Sequence, residues 1–227
     1  MKPLFTYAFF ILLLVSLTIL YGFSSVRSGN KKVQNIDVVF EEGANDFLTQ
    51  KAVDKLLIQN NDKGQNQRKS MLDLQGLEHK VLSNPYIEKA TVFLTIDGML
   101  KARVKQRTPI ARVSLGNSSF YIDKHGVKVP LSKEYSARVV LVTGNFDEGN
   151  LLGITQFINN MIADDFLKKE IVGVKITPKN EFVLSVRSGK YKIELGKLKD
   201  VDVKFKKLKA FYNTTFVDKT IEKYKTI

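Results

Sequence analysis

Apolar and polar positions alternate along this chain with three different rhythms. Residues 4–23 carry no charge at all, and Phe9 to Val15 is a block of Phe, Ile, Leu and Val. At ~1.5 Å rise per residue the run spans ~30 Å, the thickness of a bilayer's hydrocarbon core. Tyr7 and Tyr21 stand near its two ends, where aromatic rings favour the interface. Cleaved signal peptides use shorter apolar regions of ~7–15 residues and a small-x-small site. The run therefore predicts an uncleaved transmembrane helix at 4–23, with residues 1–3 before it and a polar linker at 24–32.

Beyond the linker, residues 33–40 alternate, with Ile36, Val38 and Phe40 on one face of a predicted strand. Thr49 can cap a helix that places Val53, Leu56 and Leu57 on one stripe. Residues 43–46 and 60–69 are polar and read as loops. Asp73 can cap a second helix that turns Leu74, Leu77, Val81 and Leu82 inward, and Asn84-Pro85 ends it. Residues 86–96 then alternate as a strand, with Ala90, Val92, Leu94 and Ile96 on one face and Thr91, Phe93 and Thr95 on the other. Asp97-Gly98 predicts a type I′ turn, and residues 99–107 return. Leu100, Ala102 and Val104 face the core there, while Lys101, Arg103, Lys105 and Arg107 face away. The order is strand, helix, helix, strand, strand, closing near residue 108.

From Ile110 the spacing shortens. Strands are predicted at 110–115, 119–122, 127–129 and 138–143, punctuated by Gly116-Asn117, the turn at 123–126 and Gly144-Asn145. A helix over 151–162 carries Leu151, Ile154, Ile158 and Ile162 on one stripe. Strands follow at 171–177, 181–187 and 191–195. A helix over 200–212 turns Val201, Phe205, Leu208 and Tyr212 inward and leaves Lys204, Lys206, Lys207 and Lys209 mainly on its wet face. The fold class is α+β: a transmembrane helix, a small unit at 33–108 and a larger, sheet-dominated unit at 109–227.

Composition narrows the chemistry. With no cysteine there is no lipid-anchor thiol, disulfide or thiolate metal site, and the two histidines, His79 and His125, stand far apart. The net charge of +13 calls for anionic surroundings such as lipid headgroups, anionic envelope polymers or acidic partners. Nucleic acid is not among them, because zinc spacings, RNP-type aromatic-basic patterns and basic zippers are missing from the sequence. No nucleophile elbow, phosphate-binding glycine loop or His-Glu-x-x-His helix occurs. Asp123, His125 and Ser132 could be read as a triad, but His125 lies in a tight turn and Ser132 lacks an elbow. Asp164-Asp165 reads as an acidic pair at a helix end. No catalytic, cofactor-binding or metal-ligating residue is assigned, and no cofactor is expected. Lys2 on one flank against Arg27, Lys31 and Lys32 on the other gives only a slight charge bias, toward a cytoplasmic carboxy-terminal side.

Several motifs together carry a family likeness. Leu48-Thr49, the run Leu82-Ser83-Asn84-Pro85-Tyr86-Ile87 with Ala90 and Val92, and Gln106-Arg107-Thr108-Pro109-Ile110-Ala111-Arg112-Val113 resemble the POTRA domain of the bacterial cell-division family FtsQ/DivIB. Tyr121-Ile122-Asp123 with Gly126, Pro130-Leu131-Ser132, Val142-Thr143-Gly144, Leu195-Gly196 and Lys207-Leu208-Lys209-Ala210-Phe211-Tyr212 resemble that family's β domain. The likeness covers nearly the whole chain in the family's order.

That resemblance implies a cytoplasmic amino terminus, with both domains outside the membrane at the division septum, periplasmic in a Gram-negative cell. It also implies a non-catalytic scaffold linking early and late division proteins, among them the FtsB/FtsL coiled-coil pair. Relatives continue past this point with a final strand and a tail, so the carboxy-terminal end is expected to be incomplete. Partner contacts are expected on the first hairpin at Tyr86, Thr91, Phe93, Thr95, Lys101, Arg103, Lys105 and Arg107, and at the end of the chain at Lys219, Ile221, Tyr224 and Ile227. Two other readings are a POTRA-bearing chaperone of secretion or outer-membrane assembly and a membrane-tethered envelope enzyme.

Overall fold

Ser24 to Ser28 contains no helix breaker, and the first helix therefore runs on where a linker was expected. In the computed structural model, which describes residues 2–29, 35–41, 47–58, 72–144, 146–217 and 220–227, helix α1 is Lys2–Gly29. Its described apolar side chains are all exposed, and none joins a core cluster. Among the described residues no helix is long and apolar enough to cross a membrane. The polar loops expected at 43–46 and 60–69 lie outside the described residues.

The chain divides into two units, Met1–Glu42 with Leu48–Gln106, and Gly43–Phe47 with Arg107–Ile227. In the first, β1 (Ile36–Phe40), α2 (Gln50–Ile58), α3 (Leu74–Leu82), β2 (Ile87–Leu94) and β3 (Leu100–Gln106) follow in the expected order. The sheet order is β1-β3-β2, with β1 parallel and β2 antiparallel to β3. Val53 and Leu57 from α2 and Leu77 and Val81 from α3 bury against Val38, Val92, Leu100, Ala102 and Val104. Burying one such aliphatic side chain is worth ~1.5–3 kcal/mol. Thr49 Oγ1 and Asp73 Oδ1 accept the amides of Ala52 and Gly76 and so cap both helices. The Gln106 side chain mimics a strand: its Oε1 accepts the Leu48 amide and its Nε2 donates to the Leu48 carbonyl, both at 3.1 Å.

Three local expectations fail here. Leu82 is exposed rather than inward, because it lies in the last helical turn, where the stripe rotates off the sheet. Ile96 is 86% exposed at the tip of the hairpin. That hairpin does not close with a type I′ turn. The Gly98 amide donates to Thr95 O, the Thr95 amide donates to Met99 O, and Gly98 takes φ 91° while Asp97 keeps a negative φ. This is a three-residue loop with a left-handed glycine, which fits strand twist as well as the two-residue turn does.

The second unit holds β4 (Pro109–Leu115), β5 (Ser118–Asp123), β6 (Lys128–Pro130), β7 (Val140–Gly144), α4 (Leu151–Ile162), α5 (Asp165–Glu170), β8 (Ile171–Ile176), β9 (Phe182–Val186), β10 (Lys192–Gly196) and α6 (Val201–Val217). One seven-stranded sheet runs β10-β9-β8-β7-β4-β5-β6. The pairs β4–β7 and β7–β8 are parallel and the rest antiparallel. A parallel pair needs a long crossover, which α4 and α5 supply between β7 and β8. Ile154, Phe157, Ile158 and Met161 from α4 and Phe205, Leu208 and Tyr212 from α6 bury against Val142, Val174 and Leu184.

Helix α5 was not expected. Asp164, read as half of an acidic pair, is its N-cap, and Oδ1 accepts the amides of Phe166 and Leu167. The wet face assigned to α6 also changes. Lys204 Nζ donates to the carbonyls of Leu195 and Lys197, and Lys209 Nζ meets Asp164 Oδ2 at 2.5 Å, so only Lys206 and Lys207 stand fully exposed.

Candidate functional site

The hydrogen-bond parity of β2 locates the first unit's open edge. The Val92 amide donates to Glu78 Oε2 of α3 at 3.0 Å, so the main chain of Val92 points away from β3. In an antiparallel ladder this parity alternates. Ala90 and Leu94 therefore also turn their amides and carbonyls outward, whereas Thr91 and Phe93, opposite Arg103 and Lys101, bond to β3. Among the described residues no strand pairs with β2 on its outer side.

Beside this edge lies the sheet face away from the helices. Thr91, Phe93 and Arg103 are exposed on it, with Lys101 and Lys105 half-buried. Lys89 joins them directly opposite Lys105, a residue that the sequence did not single out. Two like charges in register repel, and a bulge relieves this: β2 shifts register between Ile87 and Lys89, and Glu88 reaches Lys105 at 3.6 Å. Lys101 meets Asp37 of β1 at 3.1 Å. Among the described residues Lys89 and Arg103 meet no carboxylate. Asp54 of α2 has its carboxyl pushed up by burial and then by the charge of Asp37.

Arg107, Thr95 and Tyr86 do not belong to this face. Arg107 lies past the end of β3, and its Nη1 donates to Asp123 Oδ2 at 2.7 Å in the second unit. Thr95 Oγ1 bonds Met99 in both directions and latches the hairpin. Tyr86 precedes β2, and its amide donates to the Asn84 side chain. Alternation sets Lys101, Arg103 and Lys105 on one side, and β3 ends at Gln106, one residue before Arg107.

At the other end of the chain, residues 225–227 are paired with β10. The amides of Lys192 and Glu194 donate to the carbonyls of Lys225 and Ile227, and the Ile227 amide donates back to Lys192 O. Residues 225–227 thus lie parallel along the outer side of β10, and only Thr226 turns its main chain away from it. Ile221 is buried in the core and Ile227 packs partly against it. Tyr224 is 43% exposed, its ring edge-on to Phe211 at 5.2 Å. Lys219 lies outside the described residues.

The triad reading dissolves. Asp123 Oδ1 accepts the amides of His125 and Val127 as a turn scaffold, Oδ2 holds Arg107, and Ser132 Oγ accepts the Glu134 amide. The buried Glu170, Tyr191 and Tyr212 form a network with the exposed Ser188. Tyr191 Oη donates to Tyr212 Oη at 2.8 Å, Tyr212 Oη donates to Glu170 Oε1 at 3.3 Å, and Ser188 Oγ bonds the same oxygen. Among the described residues no group of three or more metal-ligating side chains occurs.

Residues 108–227 match the family described as FtsQ/DivIB, C-terminal related, and residues 32–105 match the POTRA-like domain. No curated protein matches the chain. The first match alone covers more than half of the sequence, and the two follow each other along the chain as the two folded units do. Both are families of scaffold domains. The chain belongs to the FtsQ/DivIB family and carries the domains of a cell-division scaffold.

Proposed function

We propose that this protein is a septal scaffold, held in the cell membrane by α1, whose folded units lie outside the membrane and recruit division proteins by strand addition. The observation that carries the reading is the outer edge of β2, where Ala90 and Leu94 present unpaired main-chain groups beside Lys89 and Arg103. An added strand gains main-chain hydrogen bonds there, and the cations steer one that is acidic. The second contact is the end of the chain, where Thr226 turns outward beside Tyr224, the place at which an FtsB/FtsL-type pair docks in this reading.

The anchor rests on the sequence and on exposure. Residues 4–23 carry no charge and are mostly apolar, and the side chains of 9–23 join neither core cluster. Phe9, Ile11, Leu12 and Leu14 each expose more than half of their surface, which costs heavily in water and nothing in lipid.

The test is a photo-crosslinking residue placed at Ala90, and separately at Arg103, in the full chain in dividing cells. Septal proteins, the FtsB/FtsL pair among them, are the expected products. Secretion or barrel-assembly components would favour the chaperone reading, and an absence of adducts at both positions would sink the docking edge.

A further inference from the structure

The sheet of the second unit carries a trough at one end, and the trough is lined with cations. Strand β7 lies between β4 and β8 and begins only at Val140. Both neighbours carry a bulge at this level. Strand β4 shifts register between Pro109 and Ala111, and β8 between Ile171 and Gly173, which makes Ile110 and Val172 the extra residues. Bulges bend strands and re-aim side chains, and they gather at sheet ends and beside binding sites. Both extra residues, Ile110 and Val172, line one trough of about 480 Å³ together with Met161 and Ile162 at the end of α4.

Arg138, Lys168 and Arg187 also line the trough, and no acidic residue does. All three are exposed, and among the described residues none of them meets a carboxylate. Lys168 lies in the last turn of α5 and there complements the helix dipole. Arg138 and Arg187 lie on no helix, so that explanation does not reach them.

We infer that this trough is a binding site for an acidic peptide segment, one that sets an apolar side chain on Val172 and Met161 and carboxylates against Arg138, Lys168 and Arg187. The lining decides between a peptide and a small anion. A phosphate site is built from backbone amides in a glycine loop or at a helix N-terminus. This trough contains no glycine, includes Pro109 with its missing amide, and faces the C-terminal end of α4. Its donors are long side chains around an apolar floor, which fits alternating acidic and apolar residues. Guanidinium groups bind carboxylates with paired hydrogen bonds.

The site is separate from the β2 edge, and it stands or falls independently of it. The probe is a capped, fluorescently labelled Glu-Leu-Glu-Leu-Glu peptide, titrated by anisotropy into the detergent-solubilised full chain, with a Lys-Leu-Lys-Leu-Lys peptide and inorganic phosphate as comparisons. The double variant Arg138→Ala/Arg187→Ala should weaken binding about tenfold or more, since each lost guanidinium removes charge-assisted bonds. Val172→Glu, which sets a like charge on the exposed bulge, should weaken it as well, and the basic peptide should not bind. Lys206→Ala, an exposed cation of α6 outside the trough, should leave the affinity within about twofold, well inside one tenfold step of ~1.4 kcal/mol. Unchanged binding in the double variant and in Val172→Glu, or displacement of the peptide by millimolar phosphate, would overturn the proposal.

Discussion

The Val92 amide lies 3.0 Å from Glu78 Oε2, and this one bond fixes which residues of β2 face outward. A helix carboxylate has taken one of the strand's outer donors, so an added strand must seat on Ala90 and Leu94. The residues that look outward by side chain, Thr91 and Phe93, face inward by backbone.

Proline substitution separates the two kinds of outwardness. Ala90→Pro removes a donor that the domain does not use, which edge strands tolerate. Thr91→Pro removes one that pairs β2 to β3. We expect Ala90→Pro to melt within a few degrees of the parent and to lose crosslinks to septal partners. Thr91→Pro should lose ~3 kcal/mol or more and unfold the first unit. Thermal melts by circular dichroism on both variants decide this. Equal melting temperatures would show that the parity is misassigned.

The glycine of Val142-Thr143-Gly144 is required for packing. Gly144 takes φ 134° opposite Ile176, and an added Cβ would come within 2.1 Å of Ile176 O. Neither the conformation nor the space admits a side chain. Gly144→Ala should cost more than ~3 kcal/mol and leave the second unit aggregation-prone. Soluble expression at parental levels would contradict this.

Much of the fold was legible because its periodicity is strong. The strands at 110–115 and 171–177 and the helix at 151–162 follow the alternation and the 3.6-residue stripe almost residue for residue. What escaped has no periodic signature. A bulge such as that at Glu88 inserts one residue without changing the local composition, and a six-residue helix such as α5 is too short to show a stripe. The docking edge was half legible: alternation placed Arg103 and Lys101 on one face, but only the Glu78 contact reveals which amides are free. Arg107 was misplaced because alternation says nothing about where a strand ends.

The buried tyrosine network gives an alkaline limit to stability. Burial above all, with Tyr191 and Glu170 adding to it, pushes the Tyr212 hydroxyl far above its ordinary value. A group whose folded pKa is raised contributes stability that is fully present below its unfolded pKa, ~10 for tyrosine, and that fades as pH rises beyond it. Tyr212→Phe lacks this group and leaves Glu170 and Tyr191 each short of a partner. It should cost about 1–3 kcal/mol at pH 8. Its deficit against the parent should shrink by pH 11, as read from urea melts at the two pH values. A constant deficit would mean that Tyr212 does not titrate differently in the two states.

Topology can be read with a single label because the chain has no cysteine. Ser25 is exposed on α1 beyond the apolar run. In Ser25→Cys a membrane-impermeant maleimide should react in intact cells stripped of their outer layers, and a cysteine added before Met1 should react only after lysis. The reverse pattern would put the folded units in the cytoplasm, as the slight charge bias reads. A mature protein beginning near Ser25 would remove the anchor altogether.

The end of the chain offers a contest between two edges. Residues 225–227 occupy β10, so a partner must either add outside Thr226 or displace the segment and take Lys192 and Glu194 for itself. Displacement would sacrifice three hydrogen bonds of 2.8–3.1 Å and the packing of Ile227 on the core, each bond worth ~0.5–1.5 kcal/mol net. Addition outside Thr226 loses nothing and keeps Tyr224, already set edge-on to Phe211, at the contact. We therefore expect deletion of residues 225–227 to weaken binding of the FtsB/FtsL pair about tenfold or more, and Tyr224→Ala to weaken it in the same direction. A binding titration of the full chain against the purified pair at low and high salt measures both. Tighter binding after the deletion would show that the partner replaces the segment on β10, and unchanged affinity at both salt concentrations would remove this end from the docking surface.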